Sequence, residues 1–191
     1  MFLPKVISGG MGVNTSCCDL ARTVSMYSRP GAETLGTISG TALEMVMARM
    51  LKIGGIYTER IKKALDDFPF KEVSERIVSE YSGKLSKGIP VFSVNPSRLL
   101  SELTICANYA FVKMAKDGHN NPVSINYLEK IAMPHLLAIF GAMLAGVDFI
   151  TMGAGIPDKI PGVIEAYATG NPATYKIPVV GEKDGYQISF N

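Results

Sequence analysis

Cysteine, histidine and unbalanced charge are all scarce in this chain, and each scarcity removes a class of function. Cys17, Cys18 and Cys106 are its 3 cysteines, two adjacent and one alone, so neither a zinc-ligand spacing nor a disulfide framework follows. The 19 Lys and Arg residues nearly cancel against 17 Asp and Glu, for a net charge of +2, and the two signs are interleaved along the predicted helices. That is no nucleic-acid footprint, so no nucleic-acid partner is expected. The uncharged run from Ile131 to Gly146 falls short of the roughly 20 apolar residues that span a bilayer, so no membrane segment is expected either. The amino-terminal MFLPKVISGGMG places Pro4 and Lys5 where a secretory signal would be apolar, and the expected setting is the reducing cytoplasm, where the sequon Asn14-Thr15-Ser16 has no use.

What remains is hydrophobic content of 47% over 191 residues, enough for a substantial core, and a chain that alternates strand-like and helix-like patterns. Pro4 to Ser8 and Glu33 to Ser39 are expected strands, each followed by glycine and a helix. Ser16 with Asp19, and Thr41 with Glu44, have the spacing of capping boxes. The second helix carries Leu43, Val46, Met47, Met50 and Leu51. Thr58 to Asp67 and Lys71 to Ser82 read as amphipathic helices covering the core, part of a helical insertion over about 58–118. Pro90 to Val94 is a candidate short strand, and from Pro96 to Lys116 a helix is preferred, including the Leu103 to Ala107 stretch that also fits an extended chain. Ile156 to Ala168 predicts a helix interrupted near Pro161, and Ile177 to Val180 and Tyr186 to Phe190 predict two last strands.

The stretch Asn121 to Pro157 is the densest signal. Pro122 to Tyr127 and Val147 to Met152 read as strands joined by the uncharged helix, in which Gly141, Ala142, Ala145 and Gly146 allow close approach to the sheet. Two strands and a crossover helix make a βαβ unit with parallel strands. Alternating units of this kind predict an α/β fold, with a doubly wound sheet and a (β/α)8 barrel both open. Glycine turns at Gly9 to Gly12, Gly40 and Gly153 to Gly155 follow strand ends, where either architecture places its ligand. A full GxGxxG is missing, because Thr15 stands where the third glycine belongs.

The segments GGMG from Gly9, GTISGT from Gly36, CANYAFVKMAKDGHNNPVSINYLEK from Cys106 and GAMLAGVDFITMGAGIP from Gly141 together resemble the nitronate monooxygenase family, formerly the 2-nitropropane dioxygenases. The branch resembled is the one related to flavin-dependent enoyl reductases of fatty-acid and polyketide synthesis. The resemblance implies a TIM barrel, (β/α)8, that binds FMN at the carboxyl ends of its strands, and an oxidoreductase that acts on a nitronate or, in the related branch, an enoyl thioester. NAD(P)H is the electron donor it adds to the candidates. Carried over residue by residue, the first loop against the flavin maps to Gly10, Met11 and Gly12. Asn126, a polar residue inside an apolar strand, maps to a ring-edge hydrogen bond, and Met152, Gly153 and Ala154 to the floor of the pocket.

A complete barrel needs about 250 residues, so the chain resembles the N-terminal part of one, without the late phosphate-gripping loops or the glycine-rich histidine motif of the family. An inosine monophosphate dehydrogenase-like barrel is a weaker match, its cysteine loop being absent. His119 in a polar loop and His135 in an apolar helix fit structural roles, and no catalytic base is assigned. Glu129 and Lys130, just beyond Asn126, are placed to meet substrate or to pair with each other in solvent, and the solvated pair is preferred. The alternative function is a catalytically silent partial barrel that serves as a structural or assembly subunit, forming a homo-oligomer or pairing with a missing barrel half through its open edges.

Overall fold

The computed structural model describes residues 3–83, 91–181 and 183–190. Its centre is a sheet of four parallel strands in chain order: β1 (Val6–Ile7), β2 (Thr34–Ser39), β3 (Val123–Leu128) and β4 (Phe149–Gly153). The sheet curls into a half-barrel with helices on its convex side. One helix, α1 (Cys18–Met26), links β1 to β2, and α6 (His135–Leu144) links β3 to β4. Among the described residues, four helices separate β2 from β3: α2 (Leu43–Ile53), α3 (Ile56–Leu65), α4 (Lys71–Tyr81) and α5 (Arg98–Ala115). Of these α5 packs between α1 and α6 in the helical layer, and α3 and α4 lie against it from outside. The stretch expected to be helical insertion therefore contains both outer helices and this inner one.

Burial explains the strand sequences. Every residue of β2 after Thr34 is buried, as expected for a parallel strand covered on both sides, and β3 is buried from Val123 to Tyr127. The start of β3 is held by Asp148, whose Oδ2 accepts from the Val123 amide at 2.8 Å and from Lys116 Nζ at 2.6 Å. The Leu103 to Ala107 stretch is helical within α5, which has 18 residues, because nearly all of its length is enclosed by other helices. Ser97 caps it, accepting from the Leu100 amide at 3.3 Å.

Beneath the sheet, the Tyr127 hydroxyl donates toward two acceptors, Asn108 Oδ1 of α5 at 2.8 Å and the Ala138 carbonyl of α6 at 3.1 Å. It is the polar junction of three elements. Tyr127→Phe is expected to leave Asn108 Oδ1 unpaired in the core and to cost about 1–3 kcal/mol. Urea unfolding of the two proteins measures it, and an unchanged midpoint would remove the junction's importance.

Several local expectations are corrected. Neither capping box forms, since the residues at the cap positions are Cys17 and Ala42, with no side-chain cap bond at either. Ser16 instead accepts the Met11 amide at 3.0 Å, closing the first loop on itself. Helix α7 (Ile160–Ala168) is not interrupted at Pro161, which sits in the first turn, where its missing N–H costs nothing. The strand expected at Pro90 to Val94 does not appear over Val91 to Val94, where Val91 is 90% exposed with no sheet to join; Pro90 lies outside the described residues.

The first of the last two strands is β5 (Ala173–Ile177), upstream of the expected Ile177 to Val180. In ATYKI the buried Ala173 and Tyr175 alternate with exposed Thr174 and Lys176, whereas Val180 is fully exposed beyond Pro178. β5 pairs antiparallel with β6 (Tyr186–Phe190). This hairpin packs on α6 and α7, with Phe190 edge-on to Phe140 at 5.2 Å, and does not extend the parallel sheet.

Candidate functional site

The two-residue period of a strand divides the sheet into a helix-facing side and a concave side. Tyr127 reaches α5 and α6, so Ile125 shares its side, and Ser124, Asn126 and Leu128 face the concavity. Parallel register carries that assignment to the neighbours. Thr37 and Ser39 of β2 pair with Ser124 and Asn126, while Phe149, Thr151 and Gly153 of β4 pair with Ser124, Asn126 and Leu128.

The concave face is consequently lined with small polar groups. Thr37, Ser39, Ser124 and Asn126 are all buried. The Ser124 hydroxyl lies 3.4 Å from Thr151 Oγ1, which in turn donates to the Ile125 carbonyl at 3.2 Å. Thr37 Oγ1 is buried with no hydrogen-bond partner among the described residues. An orphan hydroxyl of this kind costs stability unless something supplies a partner.

At the carboxyl end of this face three expected site residues come together from three separate elements. Gly10 follows β1, is buried and has φ +61°, a conformation that side chains disfavour. A Cβ there would lie 2.5 Å from Thr37 Cγ2 and 2.8 Å from Asn126 Cβ. Asn126 Nδ2 donates to the Gly10 carbonyl at 3.1 Å and to that of Gly9 at 3.4 Å. The Asn126 amide thus clamps the first loop onto β3 with its nitrogen. Gly153, at the end of β4, presents its backbone to the same amide, 3.7 Å from where its Cβ would be.

The other expected positions are placed differently. Met11, which is 67% exposed, and Gly12 lie in the first loop at the rim, and Ala154, with φ +60°, is exposed in the turn after β4. Met152 pairs with Tyr127 and packs with it into the core on the helix side, so the floor of the concavity is made by Gly153 and not by Met152. Strand alternation forces that outcome for adjacent residues. Glu129 is not simply a solvated partner of Lys130: its Oε1 lies 3.5 Å from the Tyr175 hydroxyl, and its amide donates to the Gly153 carbonyl at 2.9 Å, fixing the β3 and β4 ends together.

The remaining reactive groups are less suited to chemistry. Burial pushes the thiols of Cys18 and Cys106 up to about 12, so neither supplies a thiolate near neutrality. His119 bonds the Ala115 carbonyl at 2.8 Å beyond α5, at the opposite end of the sheet from Asn126. Among the described residues no group of three His, Cys, Asp or Glu side chains could hold a metal ion, and no helix is long and apolar enough to cross a membrane.

The hydroxyl row of Thr37, Ser39, Ser124 and Thr151 was not among the candidate residues. Its signal was present as alternation over the shorter stretches Thr37-Ile38-Ser39 and Val123-Ser124-Ile125-Asn126, where polar and apolar residues take turns. No family model, no curated protein and no solved structure matches the chain.

Proposed function

We propose that this chain is the flavin-facing half of an FMN-dependent oxidoreductase of the nitronate monooxygenase type, built on part of a TIM barrel. The observation that supports it is the meeting of Gly10, Asn126 and Gly153 at the carboxyl ends of three parallel strands, the end where barrels of this class bind ligands. The residues present fit the ring end of such a cofactor. Gly153 ends its strand without a side chain, the missing Cβ of Gly10 lets the first loop sit against Thr37 and Asn126, Asn126 keeps its carbonyl oxygen available while its nitrogen holds the loop, and Thr37 has an unpaired hydroxyl on the same face. Bound there, FMN would supply the two-electron redox chemistry. The protein's own part is to hold Gly10 close, to orient the ring edge from Asn126 and to line the concavity with neutral polar groups. A nitronate or an enoyl thioester is the proposed substrate, with a nicotinamide as candidate donor. The cytoplasm is the setting proposed, in keeping with the free thiols of Cys17, Cys18 and Cys106.

Titrating FMN with the protein and following flavin fluorescence tests this directly. The native chain is expected to shift the flavin signal saturably, and Asn126→Leu to weaken binding about tenfold, the equivalent of one good hydrogen bond. A flat titration with the folded native chain would overturn the reading.

A second reading is favoured by the sheet edges. Val6 and Ile7 of β1 are 60% and 53% exposed, and β5 turns away from β4 to pair with β6. Exposed edges of this kind invite strand addition, so the alternative is an assembly subunit whose half-barrel is completed by another copy or by a separate barrel half. Molecular mass in solution separates the two: a monomer that binds FMN supports the first, and a flavin-free dimer the second.

A further inference from the structure

A cavity opens at the carboxyl ends of β2 and β3, between them and the first turns of α2 and α6. Its volume is about 130 Å³, and most of its wall is apolar, with Phe92, Leu128, Met133, Pro134 and Ala138 among its residues. Leu128 also faces the concavity, so this space adjoins the candidate site. An apolar cavity of about 150 Å³ admits one benzene ring, and this one has room for a branched body of about four carbons.

One acidic side chain stands on that wall. Glu44 is the second residue of α2 and is only 8% exposed. Burial pushes its carboxyl up, and its own backbone amide is what works against that. Among the described residues no other group bonds or balances it, and no lysine or arginine lines the cavity. A buried charge without a counter-charge is costly. The carboxyl nevertheless keeps an open oxygen, unlike His135 Nδ1, which is enclosed without a partner.

The surroundings favour a cation over an anion. Ala42, at the N-cap of α2, has φ +57°, a left-handed conformation that a Cβ disfavours, and it lines the cavity together with Glu44. At that helix start a carboxylate complements the positive end of the helix dipole, which supports the ionised form once a counter-ion arrives. Glu129 adds a second negative charge nearby: burial lowers the His135 pKa, and the Glu129 carboxylate is close enough to pull against it. The cavity offers negative charge and apolar surface, and no cation of its own.

We propose that this cavity is a binding site for a small primary amine, whose ammonium pairs with Glu44 and whose apolar body packs on Phe92, Met133 and Ala138. The ammonium supplies the counter-ion that the chain leaves out, and the body fills the apolar space. An ammonium that enters while Glu44 is protonated displaces that proton to solvent, so the pair forms as ammonium and carboxylate. The site neither requires nor excludes a flavin.

Isobutylamine and isobutyrate, of nearly equal shape and opposite charge, test it by NMR titration of the full chain without FMN, in about 0.15 M salt to screen pairing at the surface. With glutamate carboxyl carbons labelled with ¹³C, isobutylamine is expected to move the Glu44 resonance saturably and isobutyrate to leave it in place. Glu44→Gln, which keeps the shape and removes the charge, is expected to weaken the amine about tenfold or more, the worth of one charge-assisted hydrogen bond. Ala138→Leu, which fills the cavity and leaves Glu44 in place, is expected to abolish binding. The proposal is overturned if the amine leaves the Glu44 resonance of the native protein unmoved, if isobutyrate moves it as far, or if either variant binds the amine as the native chain does. Because the native resonance reports alone, a variant that fails to fold does not shield the proposal.

Discussion

Gly36→Ala is expected to unfold most of the protein, with a loss of about 3 kcal/mol or more, at the upper end for overpacking. Gly36 is buried in the middle of β2 and faces α1. A Cβ added there would run into the carbonyl oxygen of Ala21 and lie 2.8 Å from its Cα. The obstacle is helix backbone and cannot rotate away. Moving α1 outward would also break the Ser25 hydroxyl from both of its partners, the Gly36 amide at 2.9 Å and the Pro122 carbonyl at 2.7 Å. Thermal and urea unfolding of the variant give the measurement. A variant with native stability would mean that α1 does not sit on β2 as described.

Gly141→Ala is the sharper case, because two effects of opposite sign compete. In the interior of a helix, exchanging glycine for alanine should stabilise by about 1 kcal/mol through propensity alone. Here the added methyl would meet the carbonyl of Ile105 and approach within 3.0 Å of its Cα, both on the buried face of α5. The closeness was anticipated in Gly141, but its partner was taken to be the sheet and is in fact the neighbouring helix. Steric cost exceeds propensity, and the expected net result is a loss of about 2 kcal/mol. A gain in unfolding midpoint would show that α5 and α6 are further apart than the structure has them.

Much of the parallel sheet could be read in advance, and the reason is physical. A strand side covered by helices needs β-branched and apolar residues, and Val123, Ile125 and Ile38 advertise that need. The cap positions were less legible, because Ser16 and Thr41 have capping chemistry but the chain uses Ser16 to close a loop. Local spacing does not reveal which of two backbone amides a hydroxyl will serve. At β5 a period-two pattern in ATYKI lost to the more apolar Ile177 to Val180, although burial follows the period and not the mean hydropathy. For the site, Asn126 stood out as a polar residue in an apolar strand, and Gly10 and Gly153 as turn glycines. That all three meet could not be read, since it depends on β1, β3 and β4 ending at one level of a curled sheet. Met152 was misplaced by one residue, which in a strand is the whole difference between two faces.

The clamp between Asn126 and Gly10 has a temporal side as well. Its two residues are 116 positions apart in the chain, and contacts of such separation carry a large loop-closure cost that slows their formation. β1 is two residues long and largely exposed, so the first loop is held by hydrogen bonds more than by burial: this amide, the short ladder, the Ser8 hydroxyl accepting from the Thr37 amide at 2.8 Å and the Ser16 carbonyl accepting from the Ser39 amide at 2.9 Å. Segments with so few buried contacts open locally without global unfolding. The wall that Gly10 contributes is then the last part of the face to assemble and the first to lift. Where that loop lifts, Thr37 and Asn126 are the side chains it uncovers, while the sheet and helices beneath stay closed.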